Sequence, residues 1–184
     1  MKLPAVPTIS NPKGIDAKIA GLQSFLNTEL ATSDYYTTAY KCYARAYLNQ
    51  REGGVIPELY IGSKEYVDLR LDDREAAFSF FVVDGGVPVD GDNYNANVRL
   101  ITYINLSTVY SGVSHRADEN AHRDIHNAIN GYGGEWEITG QTWGIENVYE
   151  GFEISERMYD MQPFHVFAIQ MEVPYFYGYG TCSD

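Results

Sequence analysis

The chain is poor in cysteine, in positive charge and in long apolar runs, and each shortage excludes a class of protein. Its two cysteines, Cys42 and Cys182, form no CxxC pair, so a thiolate zinc knuckle and a redox motif are excluded, and both should be reduced thiols. No run of 18 apolar residues occurs and prolines interrupt the N-terminus, so we expect no membrane span and no signal peptide.

The charge balance is strongly acidic. With 13 basic and 25 acidic residues the formal net charge is -12, and the basic residues are scattered. Such a chain repels nucleic acid and anionic membranes on average, which disfavours a protein that reads DNA or RNA. Solubility is the simpler explanation of the excess of acidic residues, although a negatively charged wall would also let DNA pass without binding it.

What the chain does have is tyrosine, with 16 Tyr and 8 Phe in 184 residues. Tyrosine favours strands and suits surfaces that are half apolar and half wet. The composition therefore predicts a sheet with contact surfaces, or a β-rich domain whose tyrosines line the rim of its own core. The length fits one domain with a proper core.

Two segments have the apolar spacing of helices. In the first, every third or fourth residue from Ile15 to Leu30 is apolar, and Asn11 and Pro12 are candidates for its N-cap and first turn. In the second, Ala117, Ala121, Ile125 and Ile129 form the stripe, Ser114 is the candidate N-cap, and Gly131 is the expected end.

Strand patterns fill most of the remaining chain. Alternation predicts strands in 36–48, 65–73, 95–110 and 164–175, and the apolar run 76–84 predicts a central strand. The glycine, proline and aspartate residues of 84–92 predict a mobile acidic loop. The expected fold is α+β, a mostly antiparallel sheet with two main helices on one face, in a single domain of residues 1–184 with an extended arm at 1–11 and a loose tail at 177–184.

Three histidines form the cluster that most resembles a catalytic or metal site. His115, His122 and His126 lie in SHRADENAHRDIHNAI, and the last two have the i, i+4 spacing that can present two nitrogens to one metal ion. A metalloprotease helix needs Glu after the first histidine, and that residue is Arg123. A solvated flank beside the apolar stripe of the helix is the simpler explanation of the pattern, so we assign no metal, cofactor or catalytic residue.

Other searches for catalytic patterns fail. The chain has no GxSxG, no GxGxxG and no cysteine in a catalytic context. Acidic pairs such as Asp72–Asp73 or Glu135 with Glu137 would serve a glycosidase only across a cleft. We therefore expect a protein that is not an enzyme.

The order of these elements resembles the tail-terminator and neck (head-tail joining) proteins of tailed bacteriophages. The resemblance covers residues 12–176 and is one of pattern: the early helix, the strands with a long loop, SHRADENAHRDIHNAING, EITGQTWGIENVYEGF and the closing DMQPFHVFAIQMEVPY. It implies a structural virion protein that assembles in the host cytoplasm, caps the tail tube as a ring of copies, commonly six, and meets neck or connector proteins while DNA passes through the lumen.

Alternatives remain open at this point. Within the same class the chain could be another neck or tail-tube subunit. From other classes, it could be a metal-dependent hydrolase that uses His115, His122 and His126, or a monomeric module that binds a ligand by stacking on tyrosine. In the ring, the segment 84–92 is the candidate for a lumen- or tube-facing element, and the arm 1–11 is a candidate for reaching a neighbour.

Overall fold

A computed structural model gives the fold and describes residues 6, 9–36, 40–51, 54–62, 65–69, 76–113, 116–150 and 162–177. The helices are α1 (Ile15–Ala31), α2 (Leu106–Val109), α3 (Asp118–Gly131) and α4 (Ile145–Val148). The strands are β1 (Tyr40–Arg51), β2 (Gly54–Gly62), β3 (Glu65–Asp68), β4 (Ala77–Asp90), β5 (Asn93–Asn105), β6 (Glu137–Trp143) and β7 (Phe164–Phe176).

All seven strands join one sheet in the order β3-β2-β1-β4-β5-β7-β6. β1 and β4 run parallel, and the other neighbouring strands run antiparallel. Helices are not interleaved with parallel strands, so the protein belongs to the α+β class. The predicted fold class is confirmed, as is the mostly antiparallel sheet.

The two long helices pack on the same face of the sheet, as the sequence predicts. The apolar positions of α1 are buried against the strands, and those of α3 join them in one cluster, which we call the helix-side core. Leu22, Leu26 and Ile125 lie there beside Leu100 of β5 and Phe167 of β7, all with essentially no exposed surface. Periodicity alone therefore located both helices and the face that each buries.

The other face of the sheet is also buried, which the sequence patterns did not predict. Phe78, Phe80, Ile101, Tyr103 and Val166 form this opposite core. It is covered by side chains that include Tyr43, Leu59, Leu69, Val148 and Tyr149. A strand covered on both faces needs no polar positions, which explains why β4 begins as a continuous apolar run.

The two predicted helix starts are wrong. α1 begins at Ile15, with Gly14 at the N-cap and φ of 55°, and no side chain caps it. Asn11 has φ of 56°, so the chain turns there before the helix begins. α3 begins at Asp118 with Ala117 as its N-cap, and Ser114 lies outside the described residues. The predicted end at Gly131 is confirmed.

The segment 84–92 is not a loop. β4 continues to Asp90 and pairs with β5 in register from Ala77↔Ile104 to Asp90↔Asn93, with bulges after Val83 and Pro88. Gly91, with φ of +54°, opens the two-residue turn. β1 pairs with β4 only as far as Phe81, so beyond that residue β4 has an open edge. Proline is tolerated on this edge because its missing N–H leaves no hydrogen bond between strands unmade.

The predicted arm and tail fall mostly outside the described residues. Of 1–11, only Val6 and residues 9–11 are described, and Val6 packs against the opposite core. Of 177–184, only Tyr177 is described, and its N–H donates to the Asp92 carbonyl. Cys42 is a buried free thiol, while Cys182 lies beyond the described part. None of the described helices is long and apolar enough to cross a bilayer.

One polar side chain joins α1 to the sheet. Asn27 Nδ2 donates to the Cys42 carbonyl at 2.9 Å, and its Oδ1 accepts from the Cys42 N–H at 2.8 Å. The ladder between β1 and β4 shifts register after Cys42, and Asn27 satisfies both backbone groups of that residue. Gln23 adds a second donor to the carbonyl at 3.2 Å.

We expect Asn27→Ala to lower the free energy of unfolding by about 2 kcal/mol, because the Cys42 N–H is left buried without an acceptor. Thr28→Ala is the matched control: its exposed hydroxyl bonds only within the helix, and its removal should change stability by less than about 0.5 kcal/mol. Urea unfolding of both variants measures the difference. Equal stabilities would show that Asn27 does not hold β1.

Candidate functional site

His122 of α3 lies next to His165, a histidine of the sheet. His122 points from α3 toward β7, and its Nε2 lies 2.9 Å from the Nε2 of His165. Each residue is only 8% exposed. At this distance one ring donates its N–H and the other accepts, so at least one of the two Nε2 atoms carries no proton.

His122 and His126, the two histidines with i, i+4 spacing on α3, have different nitrogen partners. His126 is half-buried, and its Nδ1 lies 3.0 Å from the Asn130 side-chain nitrogen, one turn along the same helix. His122 is instead drawn into the packing of α3 against β7, where the Phe167 ring lies 4.5 Å from its own. His115, the third histidine of the cluster, lies outside the described residues.

The histidine pair opens onto solvent through a cleft of about 420 Å³, which we call the histidine cleft. Its lining is Arg116, Asp118, Glu119, His122, Trp143 and His165. Arg116 pairs with Asp118 at 2.5 Å, and Glu119 Oε1 lies 3.9 Å from His122 Nδ1. Trp143, at the end of β6, is 60% exposed and stacks toward His122 with the ring centroids 6.2 Å apart.

Burial and the neighbouring His165 lower the pKa of His122, while Glu119 and Asp118 act in the opposite direction. The net direction is downward, so at neutral pH the imidazole carries no charge. A neutral imidazole is a metal ligand or a hydrogen-bond acceptor. Across the part of the chain that is described, no three histidine, cysteine or carboxylate side chains are grouped to hold a metal ion.

Of the remaining acidic candidates, the structure describes Glu135 and Glu137. Glu135 bonds to Lys18 at 2.6 Å, and Glu137 is exposed on β6. Asp72 and Asp73 lie outside the described residues. A larger cavity of about 590 Å³ contains Asp84 and Arg99, which bond to each other twice at 2.7 Å, and Arg99 also donates to the Val148 carbonyl. Arg99 is thus engaged by its own chain.

A second surface lies at the end of the sheet where β4 and β5 turn. Val87 is 58% exposed, Val89 68%, Phe176 54% and Tyr177 59%. The register brings them to the same end of the sheet: Asn93 beside the turn pairs with Phe176, and the Tyr177 N–H bonds to Asp92, while the Tyr177 ring packs against Tyr94 and Tyr175. We call these four residues the hairpin-tip surface. Such clustered apolar exposure is typical of an interaction site rather than of free solvent-facing surface.

The backbone edge beside this surface is protected against pairing with another strand. Pro88 lacks an N–H, and bulges at both ends of the segment interrupt a regular edge. Asp90 and Asp92 are exposed at the turn and add negative charge. A partner would therefore contact the side chains of the hairpin-tip surface rather than add a strand.

Many tyrosines line the core rather than a ligand surface. Tyr36, Tyr40, Tyr43, Tyr103, Tyr110, Tyr149 and Tyr175 are buried. The Tyr36 and Tyr110 hydroxyls bond to each other at 2.8 Å, and Tyr110 donates to Asp124 of α3 at 2.8 Å. The tyrosine content left open whether these residues form contact surfaces or line the core. These seven tyrosines line the core, while Tyr177 is exposed.

Comparison with known proteins found no protein-family model and no curated protein that matches the chain. The geometry of the histidine cleft and of the hairpin-tip surface therefore carries the argument about function.

Proposed function

We propose that the chain is a structural protein of a tailed-bacteriophage virion, a tail terminator that caps the tail tube and joins it to the neck as a ring of copies. The hairpin-tip surface carries this proposal. It lies at the end of the sheet and exposes four apolar side chains, and β4 and β5 close there in a two-residue turn at Gly91. A ring needs a patch of this kind on every copy.

The shape of the hairpin supports an assembly role over a free loop. Paired β-strands hold Val87 in a defined position, because Val87 lies opposite Asn95 and Asn95 lies opposite Pro174. A preordered contact loses little conformational entropy on association, which favours repeated copies of one interface. The sequence patterns had indicated a mobile segment here, for which the entropy cost would be larger.

Charge is consistent with a lumen for DNA. The chain has a net charge of -12, and Asp90 and Asp92 are exposed at the turn. A ring of such chains repels the phosphate backbone, so DNA passes without being held. Another neck or tail-tube subunit would have the same requirement and is the second candidate within this class.

The first experiment is native mass spectrometry of the full chain over a range of concentrations, followed by electron microscopy of any oligomer, alone and with isolated tail tubes. We expect a closed ring, of six copies if the resemblance holds, seated at the tube end. A monomer under all conditions that does not associate with tubes would contradict the proposal.

A further inference from the structure

We propose that His122 and His165 bind one transition-metal ion, such as Zn²⁺, through their Nε2 atoms. The two nitrogens already converge to 2.9 Å from different elements, α3 and β7, and both rings are buried apart from the side that faces the histidine cleft. Imidazole nitrogen is a preferred ligand of zinc, copper and nickel. This inference is independent of the assembly role proposed above.

Metal binding requires both rings to turn. Zinc–nitrogen bonds of about 2.0–2.1 Å in a tetrahedral site place two ligand nitrogens roughly 3.3 Å apart. The nitrogens would separate by roughly 0.4 Å, and each ring would turn by roughly 35° so that both lone pairs point at one ion instead of along the line that joins the nitrogens. The metal then replaces the shared proton as the bridge between α3 and β7.

The surroundings of the pair suit a cation. Glu119 lies 3.9 Å from Nδ1 of His122, the nitrogen that faces away from His165. This separation is longer than a hydrogen bond, so the carboxylate contributes negative charge near the site rather than a bond to the ring. Asp118 and Glu119 outnumber Arg116 in the cleft, and the whole chain is acidic, so the local field attracts positive ions.

The site is an open one. Because no group of three ligating side chains occurs among the described residues, the protein supplies two ligands and the other positions face the cleft, where water fills them. We therefore expect weaker binding than in a structural zinc site with four protein ligands. The ion should be exchangeable and removable by chelators.

Isothermal titration of the full chain with zinc chloride, after removal of metal with a chelator, tests the site. We expect one zinc ion per chain, and loss of this binding in both His122→Gln and His165→Gln. His126→Gln is the matched control, because His126 lies on the same helix but bonds to Asn130, and it should bind zinc as the wild type does.

A second measurement keeps the test independent of folding. Zinc should raise the thermal unfolding midpoint of the wild type and of His126→Gln, and should shift the ring resonances of His122 and His165 in NMR spectra of the wild type. Absent binding, binding that survives either His122→Gln or His165→Gln, or unchanged resonances of this pair would each overturn the proposal.

Discussion

The double variant Val87→Asp/Val89→Asp should abolish the closed oligomer and leave the protein monomeric and folded. Both side chains are more than half exposed in the single chain, so the new carboxylates cost little before assembly. In an assembled interface each would bring an unpaired charge into an apolar contact, which costs several kcal/mol per copy. In the proposed ring this contact repeats at every interface, so the penalty is multiplied around the ring.

The matched control is Ser24→Asp/Thr28→Asp, which adds the same two charges to the exposed side of α1. It should assemble like the wild type if the hairpin-tip surface, and not net charge, governs association. Native mass spectrometry at equal concentrations compares the three proteins, and binding to tail tubes adds a second readout. A double hairpin variant that forms the wild-type oligomer would remove the observation on which the proposed function rests.

The elements that could be predicted from the sequence are those that local periodicity defines. The stripe from Ile15 to Leu30 lies on one side of a helix, and the alternation in β7 places Phe167, Ile169 and Met171 in the helix-side core. In each case one buried face imposes its period on consecutive residues. The spacing of the apolar residues therefore shows directly which face of the helix or strand is buried.

Contacts between distant segments could not be read in this way. His165 belongs to the alternating pattern of β7, but nothing local to it indicates that α3 would bring His122 within 2.9 Å. The loop predicted for 84–92 is wrong for a related reason. Its glycine and proline content disfavours strands locally, while pairing with β5 and an open outer edge make a strand possible.

The hairpin shows why this matters for function. As a loop, the segment would present its charge without a fixed position. As a strand it holds Val87 and Val89 at the end of the sheet where Phe176 also lies, across β5 on β7, so the exposed apolar groups share that end. Only the pairing register shows this clustering, because Phe176 is far from Val87 in the chain.

Alkaline pH should unfold the protein through its buried tyrosines. Burial raises the pKa of Tyr36, Tyr40, Tyr110 and Tyr149, and for Tyr110 the nearby Tyr36 adds to the rise. In the unfolded chain each hydroxyl ionises near pH 10, whereas in the folded protein these four keep their protons. Above pH 10 the unfolded state therefore binds fewer protons, and the free energy of unfolding falls as pH rises.

The size of the effect follows from proton linkage. Each such group contributes a slope of about 1.4 kcal/mol per pH unit, so four contribute about 5 kcal/mol per pH unit above pH 10. A domain of ordinary stability, about 5–15 kcal/mol, should then unfold between roughly pH 11 and pH 13. Urea unfolding midpoints measured in steps from pH 8 upward, with tyrosinate absorbance as the probe of ionisation, check both the onset and the slope.

Tyr36→Phe isolates one member of the set. It should cost about 1 kcal/mol at neutral pH through the lost bond to Tyr110 and should lower the alkaline slope by about 1.4 kcal/mol per pH unit. Tyr35→Phe is the control, because that ring is 44% exposed next to Tyr36, and its slope should match the wild type. Midpoints that stay constant between pH 9 and pH 11 would show that these hydroxyls ionise without opening the core.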